Sequence, residues 1–194
     1  MTTVFSRLFS TPGYLFLLGL RAISSIIIWI DFTLMFSLLT YFWQANATVI
    51  GVTSALYGLP GLLLGPFFGR LADRKNPLTM LLFSYLARGV TSFLLIFAPS
   101  IEVFVALVFL KGLGNLGAMP AEQILVRSLL TREQIITNAS ITTAIDQFIK
   151  ILSPLIGALL AQYYAAGAGF GLSTGLSLLG FALLIGLNYH SKEP

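Results

Sequence analysis

Seven ionisable residues lie inside long apolar stretches of this sequence, and they are its main candidates for chemistry. An ionisable group at the centre of a membrane helix costs at least about 2.5–3.5 kcal/mol on insertion scales, so it usually faces the protein interior or a water-filled cavity. A carboxylate in such a place can exchange protons, and a cation can hold an anionic group. The seven residues are Arg21, Asp31, Arg88, Lys111, Glu122, Asp146 and Lys150.

The spacing of these residues leaves two interpretations open for each group. Arg21 and Asp31 lie about 15 Å apart along one helix at 1.5 Å per residue, so they need not pair with each other. Either they line a cavity, where Asp31 titrates and Arg21 meets substrate or a gate, or other helices neutralise them. Asp146 and Lys150 are four residues apart, in the order that favours an ion pair. They form either a self-neutralised pair or one that opens when substrate or a proton arrives.

The remaining three residues have no oppositely charged neighbour one helical turn away. Lys111 needs a carboxylate from another helix or an anionic substrate. Glu122 lies near the end of its apolar stretch, where we expect a pair with Arg74 or Arg127 rather than contact with substrate. Arg88 is expected to have a structural role and to lock its helix to that same end.

The composition identifies a membrane protein. Of 194 residues, 57% are hydrophobic and 9% are charged, whereas a soluble domain carries roughly 25% charged residues. The absence of cysteine excludes disulfides, thiol catalysis and cysteine-based metal sites. The formal net charge of +4 has a membrane explanation and does not indicate a nucleic-acid partner. Since no catalytic, nucleotide-binding or metal-ligating pattern is evident, we expect no enzymatic activity, no cofactor and no metal.

Six apolar stretches are long enough to span a bilayer, which takes about 20 residues, and they leave no room for a soluble domain. They cover residues 13–40, 47–69, 78–98, 101–118, 135–161 and 167–187. The connections on the side of both termini contain seven lysines or arginines, and the opposite connections, 41–46, 99–102 and 162–166, contain none. This asymmetry predicts a multi-pass protein of the cell (inner) membrane with both termini in the cytoplasm.

The second stretch and the loop after it contain the most distinctive pattern. Gly61, Gly65 and Gly69 form a stripe at a spacing of four, which predicts that a neighbouring helix approaches backbone to backbone. Pro66 within the stripe is expected to bend or weaken the helix. We expect a short charged cytoplasmic loop from Arg70 onwards.

This stretch has a related copy 88 residues later. Leu64-Gly-Pro66-Phe-Phe-Gly69-Arg-Leu71 is similar to Leu152-Ser-Pro154-Leu-Ile-Gly157-Ala-Leu159. An odd number of helices in each unit would give the two units opposite orientations, so the sequence predicts inverted repeats over about 13–98 and 101–187. Pro66, Pro154 and Gly157 are the corresponding hinge candidates.

The same residues carry a family resemblance. Gly69-Arg-Leu-Ala-Asp73-Arg74 resembles the Gly-x-Leu-Ala-Asp-Arg signature between the second and third helices of the major facilitator superfamily. The family usually has basic residues four and five positions after this aspartate, where this chain has Pro77 and Leu78.

Later motifs are similar to one branch of that family. Gly112-Leu-Gly114 with Met119-Pro120-Ala121, followed by Asn138-Ala-Ser140 and Ser153-Pro154, resembles the drug:proton antiporters that include macrolide and siderophore exporters and the lysophospholipid transporter. Arg88 also matches this branch. The antiporter signature of the fifth helix is only half met, because Ile149, Ser153 and Ala158 replace glycines.

The resemblance implies an all-α membrane fold of six transmembrane helices as 3+3 inverted repeats, which is half of the family's fold. It implies a secondary active transporter that performs proton-coupled efflux by alternating access, with a cytoplasmic gate and a cavity for substrate and protons. The gate comprises Gly69, Asp73, Arg74, Arg88 and Glu122, and the cavity comprises Arg21, Asp31, Lys111, Asp146 and Lys150. Asp31 or Asp146 would exchange protons. Four cations against three anions favour a small amphipathic solute with a negative group.

Half of a fold needs a second half. We expect a homodimer of half-transporters, in which two copies inserted the same way form a C2 pair around the substrate site. The chain could instead be the N-terminal half of a split or truncated transporter. A third alternative is a non-transporting membrane subunit that regulates or scaffolds a partner.

Overall fold

The computed structural model describes residues 2–163 and 168–190, and these residues form eight α-helices. The all-α membrane fold predicted from the sequence is confirmed. In chain order the helices are α1 (Thr2–Phe9), α2 (Tyr14–Ser37, extended by a π-helical turn over Leu38–Phe42), α3 (Ala47–Arg74), α4 (Pro77–Ile96), α5 (Ile101–Gly114), α6 (Ala118–Leu129), α7 (Arg132–Tyr163) and α8 (Ala168–His190).

Five candidate membrane spans are present in the described residues. They are Tyr14–Phe42, Ala47–Arg74, Pro77–Ile96, Ile101–Leu129 and Gly169–Gly186. The fifth stretch predicted from the sequence is α7, which is not among these five although its 32 residues give it ample length. Asp146 and Lys150 lie in the middle of this helix.

Two boundaries differ from the predictions, and both differences place charged residues on helices. α3 continues to Arg74, so the residues from Arg70 onwards that were expected in a loop lie in its last turns. The fourth span does not end at residue 118, because α6 continues it to Leu129 after a turn at residues 115–117. Glu122 therefore lies inside a span of 29 residues.

Polar residues cap the helices that follow the tight connections. The Asn46 side chain accepts a 2.9 Å hydrogen bond from the Val49 backbone N–H and begins α3. Asn76 does the same for the Leu78 N–H at 2.9 Å, with Pro77 in the first turn of α4. This geometry suits a helix start, since proline lacks the N–H that would be unpaired there. Asn76 therefore caps α4.

The helices pack in related pairs. α2 contacts α7 and α8, α5 contacts α3 and α4, and α4 and α8 contact each other. When the two predicted repeats are exchanged, the contact between α2 and α7 corresponds to the contact between α5 and α3. The contact between α2 and α8 likewise corresponds to the contact between α5 and α4. The repeat boundaries themselves stay a prediction. Only 11% of the most apolar segment of α3 is buried, against 33–50% in the other four spans, so α3 has a free face.

Candidate functional site

A cavity lined by Arg21, Arg88 and Glu122, which we call the main cavity, lies beside that free face of α3 and has a volume of about 560 Å³. This volume falls within the range of small-molecule sites, roughly 300–1,000 Å³. α2, α4, the end of α5, the α5–α6 turn and α6 complete its wall. The polar residues in the lining are Arg21, Ser24, Tyr57, Arg88, Asn115, Glu122 and Gln123.

Gly61 and Gly65 of the glycine stripe of α3 form part of this wall. A Cβ atom added at Gly65 or Gly69 would meet nothing within 4 Å, and one at Gly61 would only touch the Leu116 side chain at 4.0 Å. The prediction that a neighbouring helix approaches the stripe is therefore wrong for the described residues. Small residues here leave room for the cavity, because a larger side chain would project into it.

The close approach of two backbones occurs instead at Gly112. A Cβ atom at this position would lie 2.7 Å from the carbonyl oxygen of Tyr57, so only glycine fits where α5 crosses α3. Gly112 also belongs to the cavity lining. This crossing places the α5–α6 turn, with Asn115, against the middle of α3.

Arg21 joins two carboxylates from different helices. Its guanidinium lies 3.4 Å from Glu122 of α6 and also contacts Asp146 of α7. The exposed fractions of the three side chains are 17%, 14% and 25%, so the cluster is only partly buried. We call Arg21, Glu122 and Asp146 the acidic triad, because one cation faces two carboxylates and the formal sum is −1.

The acidic triad corrects two expected pairs. Glu122 was expected to pair with Arg74 or Arg127, but it pairs with Arg21 because α6 continues the fourth span and brings this residue beside α2. Asp146 was expected to pair with Lys150 on its own helix, but it pairs with Arg21 across the bundle.

Lys150 has a different neighbour. Its ammonium group lies 4.8 Å from the ring centroid of Trp29, a distance typical of a cation–π contact. Among the described residues it has no carboxylate within 4 Å, and its side chain is exposed on α7.

Asp31 and Lys111 form a closed pair in the core. The Lys111 ammonium lies 2.7 Å from the Asp31 carboxylate, and the two side chains are 1% and 0% exposed. Lys111 also donates a hydrogen bond to the Ser92 hydroxyl of α4. Another helix therefore neutralises each charge, as one of the two sequence interpretations predicted. Neither side chain lies in the cavity lining, and their role in substrate binding stays a prediction.

Arg88 lies at the cavity wall in a network of neutral groups. It donates 2.6 Å hydrogen bonds to the side-chain oxygen of Asn115 and to the Ser24 hydroxyl. Asn115 in turn donates to the Tyr57 hydroxyl at 3.1 Å. In the described part of the chain, no carboxylate lies within 4 Å of Arg88. Arg88 therefore ties α4 to α2 and to the α5–α6 turn, and its role in a gate stays a prediction.

Three partners in these networks were not predicted from the sequence. Ser92 is one helical turn after Arg88, and Asn115 directly follows Gly114 in a motif that was noted for its glycines. Both positions could have been proposed from spacing alone. Tyr57 lies in an apolar stretch with no distinctive spacing, so no local signal identifies it.

The remaining gate and hinge candidates lie at the end of a helix or inside one, and their roles in a gate stay predictions. Asp73 and Arg74 are exposed at the end of α3 and have no ion pair within 4 Å in the described residues. Pro66 and Pro154 lie inside uninterrupted helices. A Cβ atom at Gly157 would lie 2.9 Å from a methyl group of Thr33, so this glycine allows α7 to pack on α2.

Comparisons with known proteins identify related sequences. Residues 17–194 match the model of the Major Facilitator Superfamily. An uncharacterized MFS-type transporter, YfiS of Bacillus subtilis, is 23% identical over 172 residues, which are 89% of this chain and 41% of YfiS. The multidrug resistance protein MdtG of Proteus mirabilis is 31% identical over 127 residues, which are 64% of this chain and 31% of MdtG.

A shorter similarity extends to a mammalian protein. Solute carrier family 22 member 3 of Mus musculus is 34% identical over 91 residues, which are 46% of this chain and 16% of that protein. The matched part of this chain thus spans about two fifths or less of the length of these relatives.

Proposed function

Because this chain belongs to the major facilitator superfamily, a family of membrane transporters, we propose that it forms one six-helix half of a secondary transporter. The assembled transporter exports a small amphipathic solute by alternating access, and this efflux is coupled to protons. The observation that carries the proposal is the cavity of about 560 Å³, which is lined by Arg21 and Glu122 of the acidic triad and by Arg88. The relative named as a multidrug resistance protein supports the direction of transport.

Proton coupling is assigned to the acidic triad. One guanidinium cannot neutralise both Glu122 and Asp146, so the cluster can take up one proton. Protonation of either carboxylate weakens its contact with Arg21 and frees part of the guanidinium for an anionic group. Asp31 is a poorer candidate because it is fully buried against Lys111.

Substrate binding is assigned to Arg88 and the apolar part of the cavity wall. The cation has neutral hydrogen-bond partners and no carboxylate within 4 Å in the described residues. A solute with an apolar body and a negative group would complement both features, because a cation in a low-dielectric cavity gains most from an opposite charge.

A second six-helix bundle is assigned to the free faces of α3 and α7. Lys150 is exposed in the middle of α7, and a lysine at that depth is costly against lipid. The second bundle is either another copy of this chain, related by a two-fold axis along the membrane normal, or the other half of a longer or split protein. We also place both termini of the chain in the cytoplasm, which the distribution of lysine and arginine supports, and the bundle in the inner membrane.

The test uses proteoliposomes that contain the purified chain alone. Under an imposed pH gradient, we expect flux of carboxyfluorescein, an anionic dye, to exceed flux of ethidium, a cationic dye. A protonophore should abolish the flux. The Glu122→Gln/Asp146→Asn double variant should lose the response to the pH gradient, whereas Glu133→Gln, which removes an exposed carboxylate of α7, should keep it.

Three outcomes would contradict parts of the proposal. Dye flux that does not depend on the pH gradient would contradict proton coupling. Faster flux of ethidium than of carboxyfluorescein would contradict the assignment of an anionic substrate. If crosslinking in the same vesicles shows dimers but no dye moves, the chain would be a non-transporting subunit.

A further inference from the structure

A second groove lies between α3 and α4, further along α3 towards its C-terminal end, with a volume of about 570 Å³. The two helices follow each other in sequence but scarcely touch, because α5 and α6 pack between them. Phe68 and Leu71 of α3 form one wall, and Met80 and Phe83 of α4 form the other. Gly117 of the α5–α6 turn lies at its floor. The groove shares no lining residue with the main cavity.

The groove is polar at one end and apolar along its length. Lys75, Asn76 and Thr79 line the end at the α3–α4 connection, and all three side chains are exposed. From Asn76 to Ser84, the lining of α4 extends over about 12 Å at 1.5 Å per residue. An occupant therefore needs a polar group at the membrane boundary and an apolar chain that runs into the membrane.

The charge at the polar end is positive. Arg70, Arg74 and Lys75 surround one carboxylate, Asp73, and in the described residues none of the three cations has an ion pair within 4 Å. Of these cations, Lys75 alone belongs to the groove lining. Basic residues at a membrane surface attract anionic lipid headgroups.

We propose that this groove binds an anionic phospholipid, with one acyl chain between α3 and α4 and its phosphate at Lys75. The exposed side chain of Phe83, with a relative accessibility of 67%, lies at the groove where it would contact lipid. A phospholipid matches both ends of the groove, whereas a soluble anion would leave the apolar walls uncovered. The inference rests on the membrane-spanning fold and does not depend on transport.

The test is native mass spectrometry of the full chain in mild detergent, with equimolar dioleoyl-phosphatidylglycerol and dioleoyl-phosphatidylcholine. We expect more phosphatidylglycerol than phosphatidylcholine to remain bound. Lys75→Gln should lower this preference about fivefold, the effect of one basic residue near a membrane surface. The matched control is Arg70→Gln, which removes the same charge from the same helix end but does not line the groove.

A second variant tests the location of the acyl chain. Thr79→Trp places a large side chain at the groove mouth and should reduce the binding of both lipids. Equal losses from Lys75→Gln and Arg70→Gln would overturn the site in favour of diffuse charge. Equal binding of the two lipids by the unmodified chain, or full binding by a folded Thr79→Trp variant, would also overturn it. If Thr79→Trp does not fold, the comparison of Lys75→Gln with Arg70→Gln decides alone.

Discussion

Replacing one member of the Asp31–Lys111 pair should destabilise the protein far more than replacing both. The two charged groups lie 2.7 Å apart and are at most 1% exposed, so neither can reach water when its partner is lost. Removal of one partner from a buried pair costs about 3–5 kcal/mol, whereas apolar replacement of both is often neutral or stabilising. The variants Asp31→Leu and Lys111→Met, separately and together, form the double-mutant cycle that measures this coupling.

The assay is thermal unfolding in detergent, followed by helical circular dichroism. At about 2–4 °C per kcal/mol for a chain of this size, each single variant should lower the midpoint by about 6–20 °C. The double variant should return close to the unmodified midpoint, and Glu102→Gln, at an exposed position of α5, should leave it unchanged. Additive losses would refute the coupling, and unchanged single variants would refute the burial argument. A double variant that keeps proton-coupled transport would also exclude Asp31 as the proton carrier.

Three further predictions use the same thermal assay. Gly112→Ala should lower the free energy of unfolding by about 1–3 kcal/mol through overpacking, because its Cβ would lie 2.7 Å from a backbone oxygen of α3. In the control Gly65→Ala, the added Cβ meets nothing within 4 Å, so this variant should be tolerated. Equal effects of the two variants would contradict this prediction. Arg88→Lys keeps the charge but should lose at least one of two charged hydrogen bonds, each worth about 1.5–3 kcal/mol; an unchanged midpoint would count against the network. Arg21→Gln leaves two neighbouring carboxylates without a cation and should destabilise more than Asp146→Asn; the reverse order would argue against the acidic triad.

The positions of the helices follow from the sequence far better than the contacts between them. Long apolar stretches predicted the spans, because burial in lipid depends on local composition. The partner of Lys111 could not be predicted in this way, since Asp31 lies 80 residues earlier and only helix packing brings the two together. Spacing favoured a local pair for Asp146, but α2 places Arg21, 125 residues away, within closer reach than Lys150.

The glycine stripe shows the same limit. Gly61, Gly65 and Gly69 have the spacing of a close helix contact, but Gly61 and Gly65 line a cavity wall instead. The close contact is at Gly112, which has no such stripe around it. A pattern of small residues on one helix leaves space beside that helix. Only the neighbouring helices decide whether another backbone fills this space or a cavity remains there.

The oligomeric state and the charge of the substrate are linked. Away from the charged helix ends, the spans and α7 contain four cations and three carboxylates, so each copy carries one excess positive charge there. The cations are Arg21, Arg88, Lys111 and Lys150, and the carboxylates are Asp31, Glu122 and Asp146. The acidic triad and the Asp31–Lys111 pair leave Arg88 and Lys150 without a carboxylate within 4 Å in the described residues.

A homodimer doubles this excess positive charge, because its second half has the same residues. It therefore needs an anion in the cavity. A different second half can supply the missing carboxylates and would remove that need. We therefore expect a dimer near twice 21.0 kDa in native mass spectrometry to accompany a preference for the anionic dye. A stable homodimer that transports ethidium in preference to carboxyfluorescein would refute this link.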